Sequence, residues 1–260
     1  MIEPQLVTQG AIAQLSAHGI KLAGLSATRR LAAGSVIEGP TSVLSTVAPG
    51  SFLDVGAFCN LSGGNISNLR AGRYCSVAAG VHIGAHEHPT DWLTTSRTAY
   101  YPEVNGWDDL MLGERAGSLG SLRRPFTASC PTTVLQPDVW IGQGAFLKSG
   151  ITVGTGAIIG ARATVLRDVP PYAIVVGTRG RVVRLRFSEA VVERLLASGW
   201  WNYSIYDLFD APFDKVEQAL DIIEQKIGDG QVRPFKGVAI RPADLVQPSE
   251  IIERLQAVTG

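Results

Sequence analysis

Between Val139 and Pro171 the chain repeats itself every six residues. Ile141, Leu147, Val153, Ile159 and Val165 form one aliphatic column, and Val139, Ala145, Ile151, Ala157 and Ala163 form a second, smaller one two places earlier. Gly142, Gly154 and Gly160 each follow an aliphatic member. A period of six fits neither the 3.6 of a helix nor the 2 of a half-buried strand. It is the hexapeptide repeat of a parallel β-helix. Each hexad supplies one short strand and one corner, so three hexads, about 18 residues, close a triangular coil. The aliphatic residue fills the prism, its smaller neighbour shares that interior, and glycine favours the tight corner. One coil cannot bury its interior alone, so stability comes from stacking.

The same beat begins near Ser35. Its inward column reads Val47, Leu53, Cys59, Asn65, Ala71, Val77 and Ile83, with Ser45, Ser51, Ala57, Gly63, Leu69, Cys75 and Val81 two places before. Asn65 and Leu69 break the pattern, which predicts one distorted coil. After Ile83 the beat stops, and it resumes at Leu135. The intervening stretch 84–134 is too long for an idle connection in a compact repeat domain. It holds Trp92, Tyr100, Tyr101 and Trp107, too aromatic for disorder. A loop that leaves the prism and packs over something is expected.

Outside the repeat, residues 1–34 carry a short helix from Thr8 to His18, stopped by Gly19. After Pro170–Pro171 a basic run leads to a helix starting at an Ser188 N-cap and ending at Gly199. A second amphipathic helix spans 212–227, and a third runs from Glu250 to Val258 behind Ser249. These helices are expected to close the open end of the prism, whose bare strand edge is otherwise adhesive. The division is therefore 1–34, a β-helix over 35–186 interrupted at 84–134, and a helical extension over 187–260.

Lysine plus arginine and aspartate plus glutamate each number 23, so the net charge is zero. That balance argues against nucleic acid or an anionic membrane as an obligatory partner. No run of 18 apolar residues and no leader pattern is visible. The three cysteines, Cys59, Cys75 and Cys130, lack metal spacing, and two fall in inward columns. A soluble, reduced, cytoplasmic protein is expected.

Several blocks together resemble a known family. GRYCSVAAGVHIG followed by HEHPTDW, then DVWIG, GAIIGARATVLRDVPPYAIVVG and a helix ending in Trp200–Trp201 are similar to the hexapeptide-repeat xenobiotic acetyltransferases, of chloramphenicol and streptogramin acetyltransferase type, with sugar O-acetyltransferases as near relatives. The resemblance covers roughly residues 47–206. It implies a left-handed β-helix, a hand that runs against the usual right-handed crossover rule. It also implies a homotrimer with active sites between subunits, and acetyl-CoA as acyl donor.

The resemblance assigns roles residue by residue. His88, in His88-Pro89-Thr90-Asp91, matches the general base that takes the acceptor's proton. Asp91 is a candidate to orient its ring or to cap the local turn. Trp140, Gly142, Ala145, Gly160 and Ala161 match positions along the coenzyme A groove. Arg167, Arg181 and Arg184 match basic positions suited to its phosphates. The family's tail commonly reads Gly-Asn-Pro-Ala-Lys, whereas this chain has Gly177-Thr178-Arg179-Gly180-Arg181. Trp92, Tyr100 and Tyr101, with Ser96 as a polar contact, are expected to form the acceptor pocket.

Other readings stay open at this point. His82, His86 and His88 invite comparison with the γ-class carbonic anhydrases, which bind zinc through three histidines on the same prism. Those ligands come from separated turns, and His82, beside inward Ile83, should point outward, so no metal is expected. The acceptor hydroxyl belongs to an antibiotic-like molecule or a sugar. The alternatives are acetylation of a surface-glycan or nucleotide sugar, at nitrogen or oxygen, and a non-catalytic trimeric scaffold.

Overall fold

The computed structural model describes residues 5–6, 8–25, 30–85, 87–101, 104–246 and 249–259. Most strands are two to four residues long and lie in three parallel stacks, the left-handed β-helix expected from the sequence. The first face stacks Val36–Gly39, Leu53–Val55, Leu69–Ala71, Thr133–Leu135 and Thr152–Val153. The second runs from Ile20–Lys21 through Thr41–Val43, Asn60–Leu61, Ser76–Val77, Trp140–Ile141 and Ile158–Ile159 to Ala173–Val176. The third stacks Thr46–Val47, Gly64–Ile66, Val81–Ile83, Phe146–Leu147 and Thr164–Val165. Ile20–Lys21 pairs in parallel with Thr41–Ser42, so the stack begins ahead of Ser35.

In the second run the predicted columns are the buried ones, from Val139 and Ile141 to Ala163 and Val165. The first run differs. Val47 pairs with Ile66, Val55 with Ala71, and Leu61 with Val77. The residues in register with the aliphatic column of the second run are therefore Val47, Val55, Leu61, Ile66 and Ala71, at steps of eight, six, five and five residues. Leu53 and Cys59 occupy the companion column two places earlier, and Asn65 is exposed. One long corner is offset by two short ones, so a count in sixes agrees at both ends and misplaces the middle. Together these side chains make one continuous core, each large aliphatic contributing about 1.5–3 kcal/mol by leaving water.

One corner column has a further regularity. Phe58, Tyr74, Asp138 and Tyr172 all have positive φ (61°, 65°, 60° and 54°), as does Gly156 at 68°. Non-glycine residues adopt this region at a cost. At this corner the cost is offset by what the outward side chains touch. Phe58 stacks on Tyr74 with centroids 4.8 Å apart. The Tyr74 hydroxyl donates to the Tyr203 carbonyl (2.7 Å) and accepts from the Ile205 amide (3.0 Å). A Cβ at Gly156 would lie 2.3 Å from the Tyr172 ring, so that ring occupies the space a side chain would need.

The C-terminal residues divide between the two ends. Glu189–Ser198, with Ser188 accepting from the Val191 amide and Gly199 left-handed at the stop, packs with Val216–Gly228 beside Tyr172. Val238–Ile240 instead returns to the start of the prism and pairs antiparallel with Val36–Gly39. Arg181–Leu185 pairs antiparallel with Ala173–Val176 at the other end. Strands thus cover two exposed edges, and helices pack alongside them. The N-terminal helix Gln9–Ser16, capped by Thr8, buries Ile12 and Leu15 in the same cluster as Leu245, Ile251 and Leu255. Arg73 fixes the returning chain. Its guanidinium donates to both carboxylate oxygens of Glu38 (2.6 and 2.8 Å) and to the carbonyls of Asn202 and Phe235.

Residues Ala85–Cys130 form a second compact unit. Without these 46 residues, Ile83 and Leu135 are one six-residue step apart. Within the unit, Arg123 clasps Asp108 through two hydrogen bonds (2.6 and 2.7 Å) and donates to the Thr98 carbonyl (3.0 Å). That ties the helix Trp107–Leu112 to the turn Arg97–Ala99. No helix among the described residues is long and apolar enough to cross a membrane.

Candidate active site

In the second unit, His88 is exposed beside buried Pro89. Its Nδ1 lies 2.7 Å from the Thr95 carbonyl oxygen and 3.1 Å from the Tyr100 hydroxyl. A carbonyl only accepts, so Nδ1 carries the proton and Nε2 the lone pair. Asp91 is exposed, and among the described residues the hydrogen-bond contacts at Nδ1 are those of Thr95 and Tyr100.

Aromatic rings gather around Tyr100. Trp92 meets it edge-to-face at 5.9 Å, the His88 ring at 6.2 Å, and Phe126 at 5.1 Å. Trp92 also meets Phe126 at 5.8 Å. Phe126 escapes a sequence reading because nothing periodic links it to Trp92. Two residues expected at the acceptor have local partners. Tyr101 stacks under the Arg97 guanidinium at 4.7 Å. Ser96 caps the turn Arg97–Ala99 and pairs with the Thr98 hydroxyl at 2.7 Å.

On the prism, Trp140 is 52% exposed between Ser76 and Ile158. It lines a groove of about 340 Å³ with Tyr74, Ser76, Asp138, Ile158 and Arg186. Arg186 donates to Asp138 (3.0 Å) and to the Gly156 carbonyl (2.7 Å). Burial pushes the Asp138 carboxyl up, and Arg186 partly opposes it. The expected coenzyme A positions divide. A Cβ at Gly142 would lie 2.6 Å from the Ala161 amide nitrogen, so its bareness serves the approach of the next coil. Ala145 is fully buried in the smaller inward column, and its carbonyl accepts from the His82 amide. Gly160 is half-buried against Val176, and Ala161 is exposed at the corner.

The arginines divide too. Arg167 and Arg181 line one groove of about 440 Å³, joined by Arg179. Among the described residues none of the three guanidiniums has an acid partner, and the groove's one carboxylate, Asp168, accepts from the Thr152 amide. Arg184 lies outside it and donates to the Leu185 carbonyl. No cluster of three or more His, Cys, Asp or Glu among the described residues is placed to hold a metal ion. His82 is exposed with Nδ1 3.4 Å from the Asn65 amide, and His86 lies outside the described residues.

Comparison with known proteins follows this geometry. The chain is 31% identical over 184 residues to a chloramphenicol acetyltransferase of Agrobacterium fabrum, covering 69% of this chain and 81% of that protein. It belongs to the hexapeptide-repeat xenobiotic acetyltransferase family. A probable macrolide acetyltransferase of Lysinibacillus sphaericus is 35% identical over 148 residues, covering 55% of this chain and 73% of its own length. No family model matches the sequence. Among solved structures, a Vibrio cholerae hexapeptide-repeat acetyltransferase complexed with acetyl-CoA aligns over 69% of this chain and 89% of its own, with TM-score 0.36 and 17% identity. As a member of this acetyltransferase family the protein is an enzyme, an acyltransferase.

Proposed function

We propose that this acetyltransferase moves the acetyl group of acetyl-CoA onto a hydroxyl of an antibiotic-like molecule or sugar, with His88 as general base. The observation that carries the reading is the Thr95 carbonyl on His88 Nδ1, which leaves Nε2 as the proton acceptor. The acceptor O–H gives its proton to Nε2 as its oxygen bonds to the thioester carbonyl carbon. The C–S bond then breaks, and the departing thiolate takes the proton back from the imidazolium. Arg167, Arg179 and Arg181, around one groove and without an acid partner among the described residues, suit the donor's phosphates. Trp92, Tyr100 and Phe126 offer apolar ring faces to an acceptor. The relatives named for chloramphenicol and a macrolide, both hydroxyl-bearing antibiotics, support an antibiotic acceptor. The working enzyme is a homotrimer with its active sites between subunits.

The test is release of free thiol from acetyl-CoA against a panel of hydroxylated antibiotics, sugars and amino sugars, with light scattering to count subunits. Turnover with a hydroxyl acceptor that disappears in His88→Ala, while acetyl-CoA binding persists, supports the proposal. A preference for amino groups moves the reading to N-acetylation. No coenzyme A binding and no thiol release with any acceptor leaves the scaffold.

A further inference from the structure

A second cavity adjoins the Trp140 groove across the Asp138–Arg186 pair, between the corner column and the helices Glu189–Ser198 and Val216–Gly228. It holds about 350 Å³, within the size range of small-molecule sites. Its walls include Leu195, Leu220 and Ile223, and Phe187 stands at 6.1 Å from the Tyr172 ring. Tyr172 itself is 1% exposed, and its hydroxyl completes no hydrogen bond with any described group. A phenol offers one O–H donor and an acceptor oxygen, and among the described residues neither is used. A buried hydroxyl left without a partner is destabilising, and a ligand that supplies one relieves that cost. Burial pushes the phenol up to about 12, which keeps the proton in place at neutral pH.

The charges around the cavity are spoken for. Asp138 and Arg186 pair at 3.0 Å, and Arg186 is also engaged by the Gly156 carbonyl. Asp214 is exposed and faces water at the rim. An anion therefore gains no free cation, while an apolar body gains the walls. Benzene fills an engineered cavity of ~150 Å³, so this one admits a body of about two fused rings.

We propose that this cavity is a second small-molecule site, taking an uncharged molecule with a two-ring apolar body and one hydrogen-bond acceptor directed at Tyr172. The Asp138–Arg186 pair borders both this cavity and the Trp140 groove, so an occupant sits one ion pair from the surface read above as the donor site.

The test uses the full chain and three probes of one shape: 1-tetralone, tetralin, which lacks the acceptor, and the anion 1-naphthoate. Binding is followed by calorimetry and by Trp fluorescence, without acetyl-CoA. The site predicts one tetralone per chain, weaker tetralin and no naphthoate binding. Tyr172→Phe should weaken tetralone about tenfold and leave tetralin within twofold. Ala219→Leu and Ile223→Phe fill the cavity from one helix, and either should abolish both neutral ligands. Circular dichroism and melting verify that each variant is folded. The proposal fails if wild type binds no tetralone up to its solubility. It also fails if Tyr172→Phe weakens both neutral ligands alike, or if a folded filling variant still binds.

Discussion

The Nδ1 of His88 lies 2.7 Å from the carbonyl oxygen of Thr95, seven residues further along the same unit. A main-chain acceptor fixes the imidazole tautomer in a way that no side-chain substitution at position 95 removes. His88→Ala should lower kcat by about 100-fold or more, as expected for loss of a general base, with acetyl-CoA affinity unchanged. Tyr100→Phe removes only the 3.1 Å contact and should cost a few-fold. Steady-state thiol release with calorimetric titration of acetyl-CoA separates these effects.

Arg179 joins Arg167 and Arg181 around one groove, whereas Arg184 does not. Replacing any of the first three by Ala should raise KM for acetyl-CoA about tenfold, in line with loss of one charge-assisted contact. Arg184→Ala should leave it within a factor of two. The losses should shrink at high salt, because exposed charges are screened. Equal losses at all four positions count against a phosphate role for the groove.

Gly142 tests whether a bare position serves the cosubstrate or the coil. With a Cβ only 2.6 Å from the Ala161 amide, Gly142→Ala must displace backbone. We expect a loss of about 1–3 kcal/mol, and a melting temperature lower by roughly 2–12 °C for a chain of this size. Acetyl-CoA affinity measured well below the melt should not change.

Glu38 and Arg73 give the protein an acid-sensitive clasp. Burial opposes ionisation of Glu38, but the hydrogen bond from Arg73, followed by that from the Ala57 amide, outweighs it and holds the carboxyl below its ordinary 4.5. A depressed folded pKa means the unfolded chain binds the proton more readily. The clasp's contribution is therefore complete well above pH 4.5 and is lost as the pH falls below it. Glu38→Gln should cost about 2 kcal/mol at pH 7, less than a fully buried pair because a fifth of each side chain still meets water. Urea melts from pH 7 to pH 3 should show the gap between wild type and variant narrowing on the acid side.

Much of the prism is legible because its interior repeats a volume, and volume is written in residue type. Ile141, Leu147 and Val153 could not lie anywhere but inside. The corner column was hidden, since Phe58, Tyr74, Asp138 and Tyr172 share a backbone angle but stand at uneven intervals along the chain. The pairing of Val238–Ile240 with Val36–Gly39 joins segments some two hundred residues apart and leaves no local trace. At the candidate site, His88 and Trp92 announced themselves through a short motif and an aromatic run. Phe126 and Arg179 are recruited by folding alone. Ser96 and Tyr101 looked equally eligible in sequence, but a turn cap and a cation over the ring engage them locally.

The uneven steps between Val47 and Ala71 carry a consequence for how such a protein can change. Eight residues at one corner and five at two others leave every strand of the stack in phase. Corner length is thus a quantity the neighbouring coils do not sense, and the 46 residues leaving after Gly84 and returning at Pro131 are the same freedom at larger scale. The prism acts as a fixed spindle on which loops are interchangeable cassettes. Residues 85–130 can then drift, or be exchanged for those of a relative, while the register of the coils stays as it is.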